Sequence, residues 1–204
     1  MKLSEKVIGR LTLYHYILED CEKRGVHSIS SPQIAALLRI DDTQVRKDLT
    51  FLKTAGKCRV GYNIKDLKTS IETTLGFETA KDAFIIGAGN LGFALAKYDD
   101  FDSYGLHIVA LFDNDPEKIG LKINKKTVFD MSELPSLAQK KHVDIAVLTV
   151  PAAVAAQTAQ KAIDAGIRYI WNFTPTVLKV PEDVQVWNEN LIGNFLKFTY
   201  GKQA

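Results

Sequence analysis

Residues Asp82–Tyr98 read DAFIIGAGNLGFALAKY. Ala83–Ile86 is a short apolar run of the kind that forms a buried strand. It leads directly into Gly87-Ala88-Gly89-Asn90-Leu91-Gly92 and then into FALAKY, which reads as helix. Strand, G-x-G-x-x-G and helix in that order make a dinucleotide-binding turn. Gly87 permits the tight bend, Gly89 lets the backbone approach a pyrophosphate, and Gly92 lets helix and strand pack closely. The helix N-terminus adds unpaired N–H groups and the positive end of a dipole. The next strand, HIVALF, ends at Asp113, twenty-one residues after Gly92. An acid there hydrogen-bonds the adenosine ribose hydroxyls and repels a 2′-phosphate. The following NDPEK holds no arginine and two further acids, so the expected ligand is NAD(H) rather than NADP(H).

Downstream, VDIAVLTV (Val143–Val150) reads as a buried parallel strand. An Ala-rich helix follows, opened by Pro151 and stopped by Gly166, and then RYIWNF and VQVW read as strands. This alternation predicts a doubly wound, mostly parallel α/β sheet of the Rossmann kind. Ligands in such sheets sit beyond the carboxyl ends of the strands. Thr149, Val150 and Pro151 lie at one such end, and Asn172, Phe173 and Thr174 at another. Both groups are placed to line the nicotinamide side, with ordinary strand-end packing as the alternative.

After VQVW too little chain remains for a substrate domain. No Y-x-x-x-K pair occurs, and His107 and His142 precede strands, at the wrong end of the sheet for chemistry on a nicotinamide. The expectation is a cofactor used as a signal, with no catalytic residues and no metal.

The first eighty residues carry a different pattern. Leu3, Val7, Leu11, Tyr14, Leu18 and Cys21 form one helical face ended by Gly25. Ser31 as N-cap and Pro32 at the first position open a second helix with Ile34, Leu37 and Leu38 as its apolar face. A third begins at Asp41 or Asp42 and stops at Gly56, with Val45, Leu49 and Leu52 on its inner side. KCRVGYNIKDL then reads as a short hairpin with Gly61 near its turn. Three helices and a hairpin suggest a winged helix-turn-helix; a helical bundle with a solvated charged face is the alternative. In the first reading the third helix enters a major groove. Arg46 suits a guanine edge, Gln44 an adenine, and Thr43 and Thr50 bases or phosphates. Lys47, Lys53, Lys57 and Arg59 would hold backbone phosphates.

The totals agree with these readings. The chain has 204 residues, 46% hydrophobic and 25% charged, enough for one large or two small globular units. Net charge is +2, but Arg39–Arg59 holds six basic residues against three acidic, a local patch suited to phosphates. No apolar run of membrane-spanning length or secretory signal occurs. The two cysteines, Cys21 and Cys58, are too far apart to suggest a disulfide framework or zinc site, which favours a cytoplasmic setting.

Taken whole, the chain resembles the Rex family of redox-sensing transcriptional repressors. The likeness rests on RLTLYHYIL, SSPQIAALLRIDDTQVRKDL, GYNI, GAGNLG, FDNDPEKIG, LTVPA, NFTP and VPEDV, strung in the family's order. The resemblance implies a homodimer with a winged helix at 1–80, a Rossmann domain at 81–188 and a last helix at 189–204 that swaps across the dimer. It implies palindromic operators in double-stranded DNA, released by NADH and tolerant of NAD⁺. It makes Gly87, Gly89, Asn90, Leu91, Gly92 and Asp113 dinucleotide contacts and Arg46 with Lys47 the recognition pair. Leu191, Phe195 and Phe198 give the last helix an apolar face. The sequence departs from the family at Arg59, where a wing glycine is usual, and at Asn190, where an acid is common. Two other classes remain open: a small NAD-dependent oxidoreductase, and a CoA- or nucleotide-binding scaffold module. A Rex-like paralogue with altered DNA specificity is a further possibility.

Overall fold

The computed structural model describes residues 3–52 and 61–200. The chain divides into two compact units, Met1–Thr79 and Ala80–Ala204.

In the first unit, α1 (Glu5–Lys23) starts at Ser4, whose hydroxyl accepts from the Val7 N–H. Val7, Leu11, Tyr14, Leu18 and Cys21 on its inner face are all buried. The strand β1 (Ser28–Ile29) leads to α2 (Ser31–Leu38), and α3 (Asp42–Leu49) follows. The cap of α2 is Ser30 rather than the expected Ser31. Ser30 and Gln33 cap each other reciprocally: the Gln33 N–H donates to Ser30 Oγ at 3.4 Å and the Ser30 N–H to Gln33 Oε1 at 2.8 Å. Leu37, expected inside, is 62% exposed; Ile34 and Ala35 are the buried contacts of this helix. The cap of α3 is Asp41, which accepts from the Thr43 N–H at 2.7 Å. Val45, Leu49 and Leu52 all face the core.

The expected hairpin lies largely outside the described residues. Its far end, β2 (Tyr62–Asn63), pairs antiparallel with β1. Gly61 just before it has φ 88°, and a Cβ there would lie 2.5 Å from the Ile29 carbonyl oxygen, so glycine alone fits. The segment from Ile64, expected to continue the hairpin, is instead a helix, α4 (Ile64–Leu75), capped by Asn63 and ended by Gly76. Ile64, Leu67 and Ile71 repeat at helical spacing and pack the unit's core with α1. His15 on α1 meets Glu72 on α4 at 2.8 Å.

The second unit is a seven-stranded sheet. Its strands are β3 (Lys81–Ile86), β4 (Leu106–Asp113), β5 (Lys122–Ile123), β6 (Lys126–Asp130), β7 (Ile145–Leu148), β8 (Tyr169–Asn172) and β9 (Gln185–Asn188). They lie in the order β5-β6-β4-β3-β7-β8-β9. All neighbours are parallel except the edge pair β5–β6. The six parallel strands therefore have the doubly wound Rossmann order, and chain direction across the sheet reverses between β3 and β7. The helices are α5 (Asn90–Ala96), the short α6 (Asp100–Ser103), α7 (Leu134–Lys141), α8 (Ala152–Asp164) and α9 (Leu191–Tyr200). Two apolar clusters, one on each sheet face, are built around Phe84, Phe112 and Leu148 and around Ile85, Leu111 and Val147.

Candidate dinucleotide cleft and DNA-reading helix

A cleft of about 490 Å³ opens beyond the carboxyl ends of the paired strands β3 and β7. Its floor is the glycine turn. Gly87 has φ 108°, and a Cβ on it would sit 2.9 Å from the Thr149 carbonyl carbon. The same Thr149 donates its hydroxyl to the Gly87 carbonyl at 2.8 Å and its N–H to Ile86 at 2.9 Å. The first and fourth parallel strands are thus stitched together at the crevice. A Cβ on Gly92 would collide with the Gly87 carbonyl oxygen, which is the close helix–strand packing expected of the third glycine. Gly89 differs: a Cβ there meets nothing within 4 Å. That open space faces a helix start with no side-chain cap, so the N–H groups stay available to a phosphate.

Asp113 reaches from the end of β4 to this turn. Its Oδ2 accepts from the Ala88 N–H at 2.7 Å and its Oδ1 from the Asp115 N–H at 3.0 Å. Oδ2 also accepts from Lys118 Nζ at 3.4 Å, whereas Oδ1 keeps a lone pair that suits a ribose hydroxyl. Lys118 lies 3.4 Å from Asp113 and 3.3 Å from Asp115. Burial lowers the Lys118 pKa, but the two carboxylates outweigh it and hold the ammonium above its ordinary range. These donors and acceptors fit the adenosine and pyrophosphate of a dinucleotide.

Of the residues expected at the site, Gly87, Gly89, Asp113, Thr149, Val150 and Pro151 line the cleft. Ala88 and Gly92 are buried in the turn, while Asn90 and Leu91 are exposed on α5. Asn172, Phe173 and Thr174 are absent from the cleft lining. Asn172 is wholly buried and spends its amide internally. Its Nδ2 donates to the Thr176 carbonyl and to Asn188 Oδ1, and its Oδ1 accepts from the Thr174 N–H and hydroxyl. It acts as a brace between β8 and β9. Sequence reasoning missed Asn114, Lys118, Met131, Val154 and Thr158 in the lining. Val154 and Thr158, four apart on α8, carried a helical signal; Met131 did not, because β6 before it went unread.

In the first unit, Thr43, Arg46, Lys47 and Thr50 are exposed along α3, opposite its buried face. Lys53, Lys57, Arg59 and Cys58 lie outside the described residues. Arg46 and Lys47 stand in the last turn of α3, where cations suit the helix dipole. Gln44 is only partly exposed and donates its amide to Asp48 at 2.9 Å, so its donor half is committed inside the protein. Asp48, 1% exposed, also accepts from Arg10 Nε at 2.5 Å, Arg10 Nη2 at 2.7 Å and the Tyr14 hydroxyl at 2.7 Å. Burial pushes its carboxyl up, but the combined donors overcome that and hold it below the usual carboxylate range. Burial first, and then Asp48, push the Tyr14 phenol well above its ordinary value. This cluster fixes α3 to α1.

A small α-helical unit that offers a helix with an exposed basic face, joined to a sheet with a dinucleotide cleft, defines a ligand-responsive DNA-binding protein. Comparison with known proteins makes this specific. Residues 2–50 match a family described as a putative DNA-binding protein N-terminus, and residues 78–176 match one described as a CoA binding domain. The redox-sensing transcriptional repressor Rex of Carboxydothermus hydrogenoformans is 39% identical over 199 residues, covering 98% of this chain and 96% of the relative. The protein of the same name from Treponema denticola is 42% identical over 188 residues, covering 92% and 90%. A crystal structure of RSP in complex with β-NAD⁺ and operator DNA aligns with a TM-score of 0.89 at 35% identity, covering 98% of this chain and 93% of that one. RSP in complex with β-NADH aligns at 0.87. The chain belongs to the Rex family of redox-sensing transcriptional repressors.

Proposed function

We propose that two copies of this chain repress transcription by gripping a two-fold symmetric operator and release it when NADH fills the cleft. It is a regulator, not an enzyme, and its cofactor is NAD(H). The observation that supports this most is that both halves of the device are intact in one chain: a glycine turn with Asp113 in place, and an exposed basic face on α3. RSP, aligned over 98% of this chain, was crystallised with NAD⁺ and operator DNA together, and separately with NADH. The winged unit is assigned to 1–80, the Rossmann unit to 81–188 and an exchanged arm to 189–204. In that arm Leu191, Ile192, Phe195 and Leu196 are each more than half exposed on α9, which suits a helix completed by a second copy. Asn190 accepts from the Gly193 N–H at 2.7 Å and so caps α9. No helix among the described residues is long and apolar enough to cross a membrane, and a cytoplasmic setting fits a DNA-binding role.

A ligand shifts such an equilibrium only by binding the two poses unequally. Reduced and oxidised nicotinamide differ in charge and planarity, which gives the difference to exploit. The test is a gel shift of the full chain on DNA upstream of its own gene, with NADH and with NAD⁺. NADH is expected to free the DNA at concentrations where NAD⁺ leaves it bound. Equal effects of both forms would leave a dinucleotide-dependent regulator with no redox sense.

A further inference from the structure

Arg46 is the single arginine of α3, and it is held at two points. Its Nε donates to Ser31 Oγ on α2 at 3.3 Å. Its Nη2 donates to Asp42 Oδ2, one turn back on α3. Ser31 is 7% exposed, so its hydroxyl is a fixed point. Asp42 directly follows the capping residue Asp41, and its backbone is set by that cap. The two anchors take neighbouring nitrogens on one edge of the planar guanidinium. The edge formed by Nη1 and the second N–H of Nη2 remains for another partner. An exposed acid–arginine pair one turn apart adds little stability. A carboxylate on a DNA-facing helix also repels phosphates. Asp42 also suits the positive end of the α3 dipole, but that role needs no bond to Arg46.

We propose that Asp42 is a specificity-determining positioning residue: with Ser31 it clamps one edge of Arg46 and aims the other at a guanine edge in the major groove. Fixing a long side chain before contact lowers the ordering cost of a bidentate bond. The acid also competes with phosphates for the guanidinium, so wrong contacts lose more than the right one. The proposal rests on α3 being the DNA-reading helix.

The test uses the full chain and the duplex that the wild type enriches from a random-sequence DNA pool. Variants of that duplex replace each G·C pair in turn, and a scrambled duplex reports non-specific binding. Anisotropy titrations at one salt concentration give the affinities. Arg46→Ala identifies the pair that Arg46 reads. Asp42→Asn is expected to cut discrimination at that pair by roughly tenfold, while affinity for the scrambled duplex holds or rises. Added to Arg46→Ala, it is expected to change discrimination no further. Asp42→Glu is expected to restore part of the preference, and an unchanged melting midpoint in both Asp42 variants separates positioning from folding. If Asp42→Asn tightens every duplex by one common factor, with or without Arg46, the carboxylate only repels phosphates and the proposal is wrong. If Arg46→Ala keeps every preference of the wild type, the reading of α3 fails first, and the role of Asp42 with it.

Discussion

Replacing Asp48 by alanine is expected to cost the first unit about 3 kcal/mol. The wild-type carboxylate is 1% exposed and collects donors from Arg10, Tyr14 and Gln44. Without it the Tyr14 hydroxyl, on a residue with 0% exposure, loses its acceptor, and a stranded buried hydroxyl costs about 1–3 kcal/mol. Breaking a fully buried ion pair costs about 3–5 kcal/mol. Arg10 is 24% exposed and can turn to water, which keeps the sum near the lower end of that range. For a domain of this size each kcal/mol moves the midpoint by about 4–8 °C, so a fall of more than about 10 °C is expected. Acid adds a second signature. A depressed carboxyl pKa contributes stability that is present above the unfolded value of about 3.9 and is lost as pH falls through the folded value. The wild type should therefore destabilise on acidification below about pH 4, and Asp48→Asn should show a flatter acid limb there. Circular dichroism melts of the full chain across this range measure both effects. An Asp48→Ala midpoint within about 3 °C of wild type at neutral pH would refute the reasoning.

Gly92→Ala puts a methyl group onto the Gly87 carbonyl oxygen, so NADH affinity by nicotinamide fluorescence should fall at least about tenfold; unchanged affinity would mean the turn is not the phosphate site. Asp113→Ala removes both the acceptor for the Ala88 N–H and the charge facing a 2′-phosphate. The preference for NADH over NADPH, as a ratio of dissociation constants, should shrink by roughly tenfold; a constant ratio would place the discrimination elsewhere. Thr149→Val deletes the bond to the Gly87 carbonyl and should cost the second unit about 1 kcal/mol in chemical denaturation, with a larger loss in NADH binding if the stitch also shapes the cleft. Leu191→Ser with Phe195→Ser should shift sedimentation from dimer toward monomer; an unchanged dimer would remove α9 from the interface.

Much of this arrangement was legible because certain residues have few alternatives. Gly87 sits at a positive φ that only glycine adopts easily, and Asp113 closes its strand against that turn, so spacing alone placed both. Other elements were hidden for physical reasons. The β5–β6 hairpin turns through Asn124 and Lys125, both at positive φ without a glycine, which is the pattern's usual marker. The helix α4 begins three residues after Gly61, so the turn signal masked the repeat of Ile64, Leu67 and Ile71. Ser30 and Ser31 are equal candidates for a cap before Pro32, and only the reciprocal bonds of Gln33 decide between them. Asn172 looked like a ligand contact because strand ends attract ligands, yet its burial and four internal bonds depend on Asn188 and Thr176, which pattern reading cannot bring together. Likewise, Lys118 comes over Asp113 only through the fold of the intervening turn.

The chain just before the last helix is clipped from several sides. The Glu189 N–H donates to the Asn172 carbonyl at 2.8 Å, and its carboxylate accepts from the indoles of Trp171 and Trp187 at 3.0 and 3.2 Å. The arm therefore departs on a fixed bearing rather than swinging from a slack tether. In the pairing proposed above, a mate arriving at a pre-aimed latch has less orientational freedom to surrender, so rigidity would add strength beyond the grease it covers. On that proposal, loosening the clip by Glu189→Ala would weaken assembly through the angle of approach while leaving the apolar side chains of α9 unchanged.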